Sequence, residues 1–528
     1  MSVGPATSPL SVETALAPVA AQERIETLDI LRGFALFCIF VVNWCVNSLW
    51  DTDRWEGFST GADRIAYEAI TFLLDEKSWP MFAFMFGLGF SIQMLRAEAR
   101  GAPFVATYTR RLAVLFLIGA AHFILTERDI LFQYALFGFL LLPLGKLKLN
   151  LLIVLAFVCV LIPFTRTALL VHDRLERSTA SISARTEVTL DPAVLDTYVG
   201  EYELASGRTL FVTREGNRLF GQLNGWPPFR LFAESPTAFF MRSRDIQVSF
   251  VKDARGTVTG MVQQEAKETV TGTVVQRGRP VVDKNALRRA ANKQPDARLY
   301  ATGTFSEIVR FRARLFWEKV SSWSSYVSWL GDPFPPFLLG LYAGRRRIFQ
   351  TVAMHRLFVR KVMWWGLVLG LAGTAAIHIW LNLHTSASVF SFVPAAVARL
   401  SERLGSPALG LAYLAALTLL LQRDAWKQRL APLGAVGRMA LTNYLLQSVA
   451  FVLLFFGYGL GWYGKVGAFG GLMLALAVFA LQIVASRWWL RSFRFGPAEW
   501  LWRSATYWKW QPMRLQRAQL VAGVASAK

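Results

Sequence analysis

Residues Arg24 to Asn43 open an apolar run that ends near Trp50, and this run constrains the fold more than any other feature. It is long enough to cross a bilayer, which takes about 20 mostly apolar residues. Asp29 and Arg32 stand at the mouth of this first span, and Asn43 lies deep inside it. Charged and amide groups at such positions are costly unless they have partners. The run therefore points to chemistry or transport rather than to a passive anchor.

The rest of the chain repeats the theme. Of 528 residues, 54% are hydrophobic and only 17% are charged, against about 25% charged in soluble domains. Further spans are predicted at Trp79–Leu95, Leu112–Leu125, Ile130–Leu144 and Leu149–Leu170. A second set follows at Tyr326–Ala343, Val362–Leu381, Ser406–Leu421, Ala440–Leu460 and Val466–Ala485. The expected fold is an all-α polytopic membrane bundle of about ten transmembrane helices. Tyr67–Leu74 and Val389–Leu400 read as interfacial or re-entrant helices.

The formal net charge of +22 does not indicate nucleic acid, because the cations sit mostly in short links between apolar runs. Arg96, Arg100, Arg110 and Arg111 follow the second span; Arg423, Lys427, Arg429 and Arg438 follow the eighth. The alternate links are poorer in basic residues, so positive-inside logic puts both termini in the cytoplasm. Cys38, Cys45 and Cys159 fall within spans and read as small apolar residues, and the five His have no metal-ligand spacing. Residues 1–23 read as a disordered cytoplasmic tail, residues 24–172 and 311–490 as two membrane halves, and residues 491–528 as a cytoplasmic Trp- and Arg-rich tail.

Between the halves lies a hydrophilic insert whose parity puts it outside the membrane, in the periplasm of a bacterium. Within residues 190–275, six short strands are predicted at Arg208–Thr213, Arg218–Leu223, Phe229–Phe232, Ala238–Met241, Gln247–Val251 and Val258–Gln263. Turns at Glu215-Gly-Asn217, Asn224-Gly225 and Asp253-Ala-Arg-Gly256 separate them. A small antiparallel barrel or sandwich is expected, followed by a linker over residues 276–310.

Four motifs carry a resemblance: Leu28-Asp-Ile-Leu-Arg-Gly-Phe-Ala-Leu36; Phe82 to Phe90 followed by Arg110-Arg-Leu, Ile118-Gly-Ala-Ala-His122 and Asp129-Ile-Leu; Gly437-Arg-Met-Ala-Leu-Thr-Asn-Tyr-Leu-Leu-Gln-Ser448; and Arg494 to Tyr507. In these the chain resembles the YeiB-like family of bacterial multi-pass proteins, a domain of unknown function related to transmembrane acyltransferases. The resemblance implies a bacterial inner-membrane protein that moves an acyl group from cytoplasmic acyl-CoA to an envelope glycan or lipid acceptor. Asn43 stands where many membrane O-acyltransferases place a His, and Arg128 where the family usually has Gly. The insert, through Tyr198-Val-Gly-Glu-Tyr202, Leu210 to Phe220 and Leu231 to Phe240, resembles the small β-domain appended to penicillin-binding-protein-like serine hydrolases. It is read as a lipocalin-like accessory module.

The catalytic candidates are His122 with Asp129 or Glu127, since a carboxylate can fix a histidine tautomer and support the imidazolium. The alternative is an interfacial His bonded to a loop. Asp29 and Arg32 share a helix face and form either a structural ion pair or, through Arg32, a phosphate anchor. Asn43 either joins helices or orients substrate, and Asn443 and Gln447 either join helices or line a cavity with Arg438. Glu499 and Arg503, four apart, are candidates for the cytoplasmic entrance. No bound cofactor is expected, with acyl-CoA as donor substrate. Membrane lipid is the expected surrounding, with no nucleic-acid partner. A transporter or flippase, or a non-catalytic envelope scaffold, remains the alternative.

Overall fold

The computed structural model describes residues 25–45, 61–127, 129–162, 165, 187–204, 209–223, 229–241, 246–265, 268–277, 299–300, 302–322, 325–326, 330–383, 392–463 and 465–515. The predicted tail at 1–23, most of the linker at 276–310, and residues 389–391 of the predicted interfacial helix lie outside these. The first half comprises α1 (Glu26–Cys45), α2 (Gly61–Leu73), α3 (Ser78–Ala99), α4 (Phe104–Thr126), α5 (Leu131–Leu144) and α6 (Leu149–Ile162). A short α7 (Pro192–Asp196) leads into eight strands. The second half comprises α8 (Phe305–Ser321), α9 (Phe334–Arg345), α10 (Arg356–Leu383), α11 (Phe392–Leu420), α12 (Asp424–Arg438), α13 (Ala440–Phe455), α14 (Ala468–Trp489) and α15 (Pro497–Tyr507).

Each of the ten predicted spans coincides with a helix, but the helices are not equal. Among the described residues, six are long and apolar enough to cross a membrane, or seven if the bent pair α12–α13 counts as one. α5 has 14 residues, about 21 Å at 1.5 Å per residue, short of the hydrocarbon core; α6 is described over Leu149–Ile162, and most of the rest of its predicted span lies outside the described residues. α9 has only 12. Hydropathy marks where apolar sequence lies; it does not report where the helix frays or turns. The protein is thus a membrane-embedded helical assembly with an inserted β-domain.

Small residues let the helices approach closely. A Cβ on Gly340 of α9 would lie 1.9 Å from the Phe84 carbonyl oxygen of α3, and one on Gly87 would lie 2.0 Å from that of Phe337. Gly33 and Gly437 bring α1 and α12 together in the same way, the latter against the Asp29 carbonyl oxygen. The Phe86-Gly-Leu-Gly89 motif is therefore a packing device at Gly87, while Gly89 opens towards the Arg32 guanidinium, 3.8 Å from where its Cβ would stand.

α12 and α13 meet at a 76° bend around Met439. A helix starting at the bend has free backbone N–H groups, and Glu499 from α15 supplies their acceptor. Its Oε1 accepts from the N–H of Leu441 (2.6 Å) and Thr442 (3.1 Å), and its Oε2 from the Thr442 hydroxyl (2.5 Å). Asp63 of α2 does the same for α14, accepting from the Phe469 N–H at 2.9 Å.

The insert is a closed antiparallel barrel in the order β1 to β8, with β8 pairing back to β1. Six strands fall where alternation predicted them. β1 (Gly200–Leu204) and β8 (Glu268–Arg277) complete the closure, so the domain extends two residues past the expected 275. Alternate side chains point inward, as in β6 (Ile246–Lys252), where Ile246, Val248 and Phe250 are buried. Tyr198 stacks on Phe250 at 4.5 Å, and its hydroxyl reaches the Pro236 carbonyl oxygen. Eight strands leave an interior that side chains can fill, and here Tyr198, Tyr202, Phe239, Phe250 and Met261 fill it. Gly216 and Gly256 adopt left-handed backbone at two predicted turns; Asn224-Gly225 lies outside the described residues.

Two outcomes are expected. Gly340→Leu should abolish the monodisperse peak of purified protein on size exclusion, since its collision is with backbone and exceeds ordinary overpacking of about 1–3 kcal/mol. Gly61→Ala, with open space around it, should leave the peak intact. Glu499→Ala should lower thermal stability in detergent by about 2–3 kcal/mol, the scale of hydrogen bonds to a charged group. Glu499→Gln, which keeps an acceptor oxygen, should lose less.

Candidate functional site

α4 carries His122 in its last turns, and the tight link to α5 returns Asp129 to it. His122 Nδ1 and Asp129 Oδ1 are 2.8 Å apart, and both side chains are buried. The other carboxylate oxygen accepts the Phe132 N–H at 2.8 Å, which also caps the first turn of α5. Gly119 makes this possible, because a Cβ there would lie 2.8 Å from Asp129 Oδ2. A carboxylate only accepts, so Nδ1 is the donor in this contact, and in the neutral ring Nε2 then carries the lone pair. Nε2 lies 3.4 Å from the Thr126 hydroxyl, which itself bonds the His122 carbonyl oxygen at 2.9 Å. This is the arrangement of a general base with an orienting acid.

Glu127, the other candidate carboxylate, turns elsewhere. It has a left-handed backbone (φ 67°) at the end of α4 and accepts the Tyr300 hydroxyl. Arg312 of α8 lies over the rings of Tyr300 and Phe456 and donates to the Leu125 carbonyl oxygen. Of the two expected partners for His122, Asp129 holds the position.

A cavity of about 320 Å³ opens among α1, α3, α4, α13 and α15. Six arginines line it: Arg32, Arg96, Arg100, Arg111, Arg438 and Arg503, against the carboxylates of Asp29 and Glu499. Asp29 is ion-paired with Arg32 at 3.1 Å, and Glu499 is committed to capping α13. The cavity is therefore strongly positive, suited to a ligand with several anionic oxygens. Arg111 lies 3.8 Å over the Trp502 ring, whose indole N–H donates to the Arg111 carbonyl oxygen at 2.9 Å. Arg503 lies 4.6 Å over Phe495.

Arg96, Arg100 and Arg111 read in sequence as topology signals only. Their spacing held a further signal: Phe104, Thr107, Tyr108, Arg111 and Leu115 recur at helical intervals, and all five line the cavity. The tryptophans of the C-terminal segment fall into two groups. Trp488, Trp508 and Trp510 are exposed, whereas Trp489, Trp500 and Trp502 donate to backbone carbonyls.

A second, smaller pocket of about 30 Å³ is lined by Phe40, Asn43, Trp44, Thr126, Tyr444, Gln447, Ser448 and Phe451. Asn43 thus lies beside the Thr126 that faces His122. The Asn443 amide donates to Ser486 of α14 at 3.0 Å, and Gln447 donates to Gln482 at 2.8 Å. Gln482 in turn donates to the Asn443 carbonyl oxygen at 3.0 Å. Asn443 therefore joins α13 to α14, while Gln447 both joins them and lines the small pocket. Among the described residues no three side chains group as metal ligands.

Comparison with known proteins places this geometry. Residues 343–509 match the family described as protein of unknown function DUF418, and residues 184–277 match the domain of unknown function DUF3471. The uncharacterized protein YxaH of Bacillus subtilis (strain 168) is 28% identical over 523 residues, covering 95% of this chain and 98% of that protein. The uncharacterized protein YeiB of Escherichia coli (strain K12) is 46% identical over 74 residues, 14% of this chain and 19% of its own. A penicillin-binding protein of Bacillus subtilis (strain 168) gives a partial likeness, 38% identity over 61 residues, 12% of this chain and 14% of its own. No solved structure matches. With YxaH aligned along nearly its whole length, YeiB over a shorter stretch, and DUF418 across the second helical half, the chain is similar to YeiB-like proteins.

Proposed function

We propose that the protein is a membrane acyltransferase that takes an acyl group from acyl-CoA and gives it to a hydroxyl of an envelope glycan or lipid. The observation that carries this reading is the arginine-lined cavity ending at Tyr444, whose ring packs 4.9 Å from that of His122. The phosphates of the donor lie among Arg32, Arg96, Arg100, Arg111, Arg438 and Arg503, on the side that the loop charges assign to the cytoplasm. α4 passes from this cavity at Arg111 to the dyad at His122, 11 positions on, or about 16 Å of helix. The acceptor reaches the small pocket between Asn43, Thr126 and Gln447.

The chemistry follows from the dyad. His122 Nε2 takes the proton of the acceptor hydroxyl as its oxygen attacks the thioester carbonyl. Asp129 steadies the imidazolium that forms. The new C–O bond replaces the C–S bond, and the imidazolium returns the proton to the departing thiolate. In this reading the chain crosses the bacterial inner membrane about ten times, with α5 and α9 as short crossings and both termini cytoplasmic. The barrel is a periplasmic, lipocalin-like accessory domain.

A second reading, a transporter or flippase, draws on the 76° break between α12 and α13, because broken helices often line transport paths. The two readings separate on one assay. Detergent-purified protein incubated with acetyl-CoA should bind it and release CoA, and His122→Ala should abolish release while leaving binding. Loss of a general base alone typically costs about 10²–10⁴-fold; Asp129→Asn should fall within that range. Arg111→Ala should weaken acetyl-CoA binding by about tenfold, the scale of one charge-assisted hydrogen bond. Well-folded protein that neither binds nor turns over acetyl-CoA would remove the acyltransferase reading and leave the transporter.

A further inference from the structure

The arginines of the large cavity are not all held alike. Arg32 points an in-plane N–H at Asp29, at 3.1 Å. Arg111 of α4 is held through its face: its guanidinium carbon lies 3.8 Å over the ring of Trp502 from α15. The five N–H donors of a guanidinium lie in its plane, so a ring beneath the face does not engage them. Both Arg111 and Trp502 line the cavity.

The ring is itself tied down. Its indole N–H donates to the Arg111 carbonyl oxygen at 2.9 Å, so the backbone of Arg111 fixes the rotation of the ring that carries its own guanidinium. α15 is anchored on both sides of Trp502. Glu499, one turn earlier, caps α13. The Thr506 hydroxyl, one turn later, donates to the Trp502 carbonyl oxygen at 2.7 Å. A similar arrangement recurs at Arg503, 4.6 Å over Phe495, whose carbonyl oxygen accepts the Trp489 N–H at 2.9 Å. Ordering a long side chain at the moment of binding weakens affinity, and ordering it beforehand removes that cost.

We infer that Trp502 is a positioning residue for the donor: it sets the plane of Arg111 before the donor's phosphates bind. This deepens the acyltransferase reading and rests on it. Trp502 acts through Arg111, so its effect on affinity requires the Arg111 guanidinium. A tryptophan that only held α15 against α4, or that touched the donor itself, would matter equally without that guanidinium.

The test is a double-mutant cycle on the detergent-purified full chain, with acetyl-CoA affinity measured by isothermal titration calorimetry. Trp502→Leu should weaken binding by about fivefold, the scale of ordering one long side chain on binding. In the Arg111→Ala background the same substitution should change affinity by less than about twofold, within the scatter of such cycles. Trp502→Phe, which keeps a ring under the guanidinium and loses the N–H, should bind more tightly than Trp502→Leu. Trp502→Met, which also lacks a ring, takes its place if Trp502→Leu does not fold. Loss of equal size in both backgrounds, or no loss in either, would overturn the role of Trp502 alone and leave the donor site standing. Wild type that does not bind acetyl-CoA would overturn it together with the acyltransferase reading.

Discussion

A helix that breaks inside a membrane protein must find partners for the backbone groups it frees, and this constraint organises the second half of the chain. Water is scarce there, and an unsatisfied buried N–H costs several kcal/mol in hydrocarbon, on the order of a lost hydrogen bond. The break at Met439 persists because Glu499 accepts from Leu441 and Thr442. That single carboxylate ties α15 to α13. α15 in turn lays Trp502 against Arg111 of α4. The bend, the C-terminal helix and the arginine wall of the large cavity thus form one connected set of contacts.

The same accounting explains why charge does not fill the cavity. Six arginines face two carboxylates, and both carboxylates have local duties, one beside Arg32 and one at the start of α13. Cations outnumber carboxylates along this lining, and low-dielectric walls strengthen the potential they set up. Further along α4 the balance reverses: the buried His122–Asp129 pair is nearly self-contained, with the second Asp129 oxygen on the Phe132 N–H. The arginine wall and the His122–Asp129 pair lie at different levels of one helix, and Tyr444 contacts both the cavity and the His122 ring.

Much of this was legible in the sequence, though unevenly. Among the described residues, apolar runs located each helix long and apolar enough to cross a membrane, because burial and bilayer depth both select the same residues. They matched α5 to within one residue and misplaced the start of α9, where Pro335–Pro336 stand in the first turn; the end of the α6 span lies outside the described residues. Alternation located six strands but passed over β1 and β8, the pair that closes the barrel. The His122–carboxylate pairing was legible by proximity; the choice of Asp129 over Glu127 was not, since it depends on Tyr300, 173 residues away in the chain. Glu499 was noticed for its spacing to Arg503, yet its partners lie 57 and 58 residues away. Arg96, Arg100 and Arg111 were read as topology because charge counting does not see which cations face inward. Local spacing reports local pairs, and the misses at Glu127 and Glu499 are long-range ones.

Glu127 shows why such long-range contacts matter to the site. Its carboxylate holds Tyr300, 173 residues further along the chain. The Tyr300 ring stacks 5.2 Å from Phe456, and its carbonyl oxygen accepts the Gly457 N–H at 2.9 Å. Arg312 covers both rings and bonds the end of α4. α4 carries His122, and α13, which ends at Phe455, carries Tyr444. The knot formed where the chain returns from the insert therefore clamps the ends of the two helices whose rings meet at the centre. A shift of either helix along its axis would separate His122 from Tyr444, and the clamp opposes it with a buried cation, a carboxylate and stacked rings. The return segment is thus part of the framework that holds the dyad against the cavity wall.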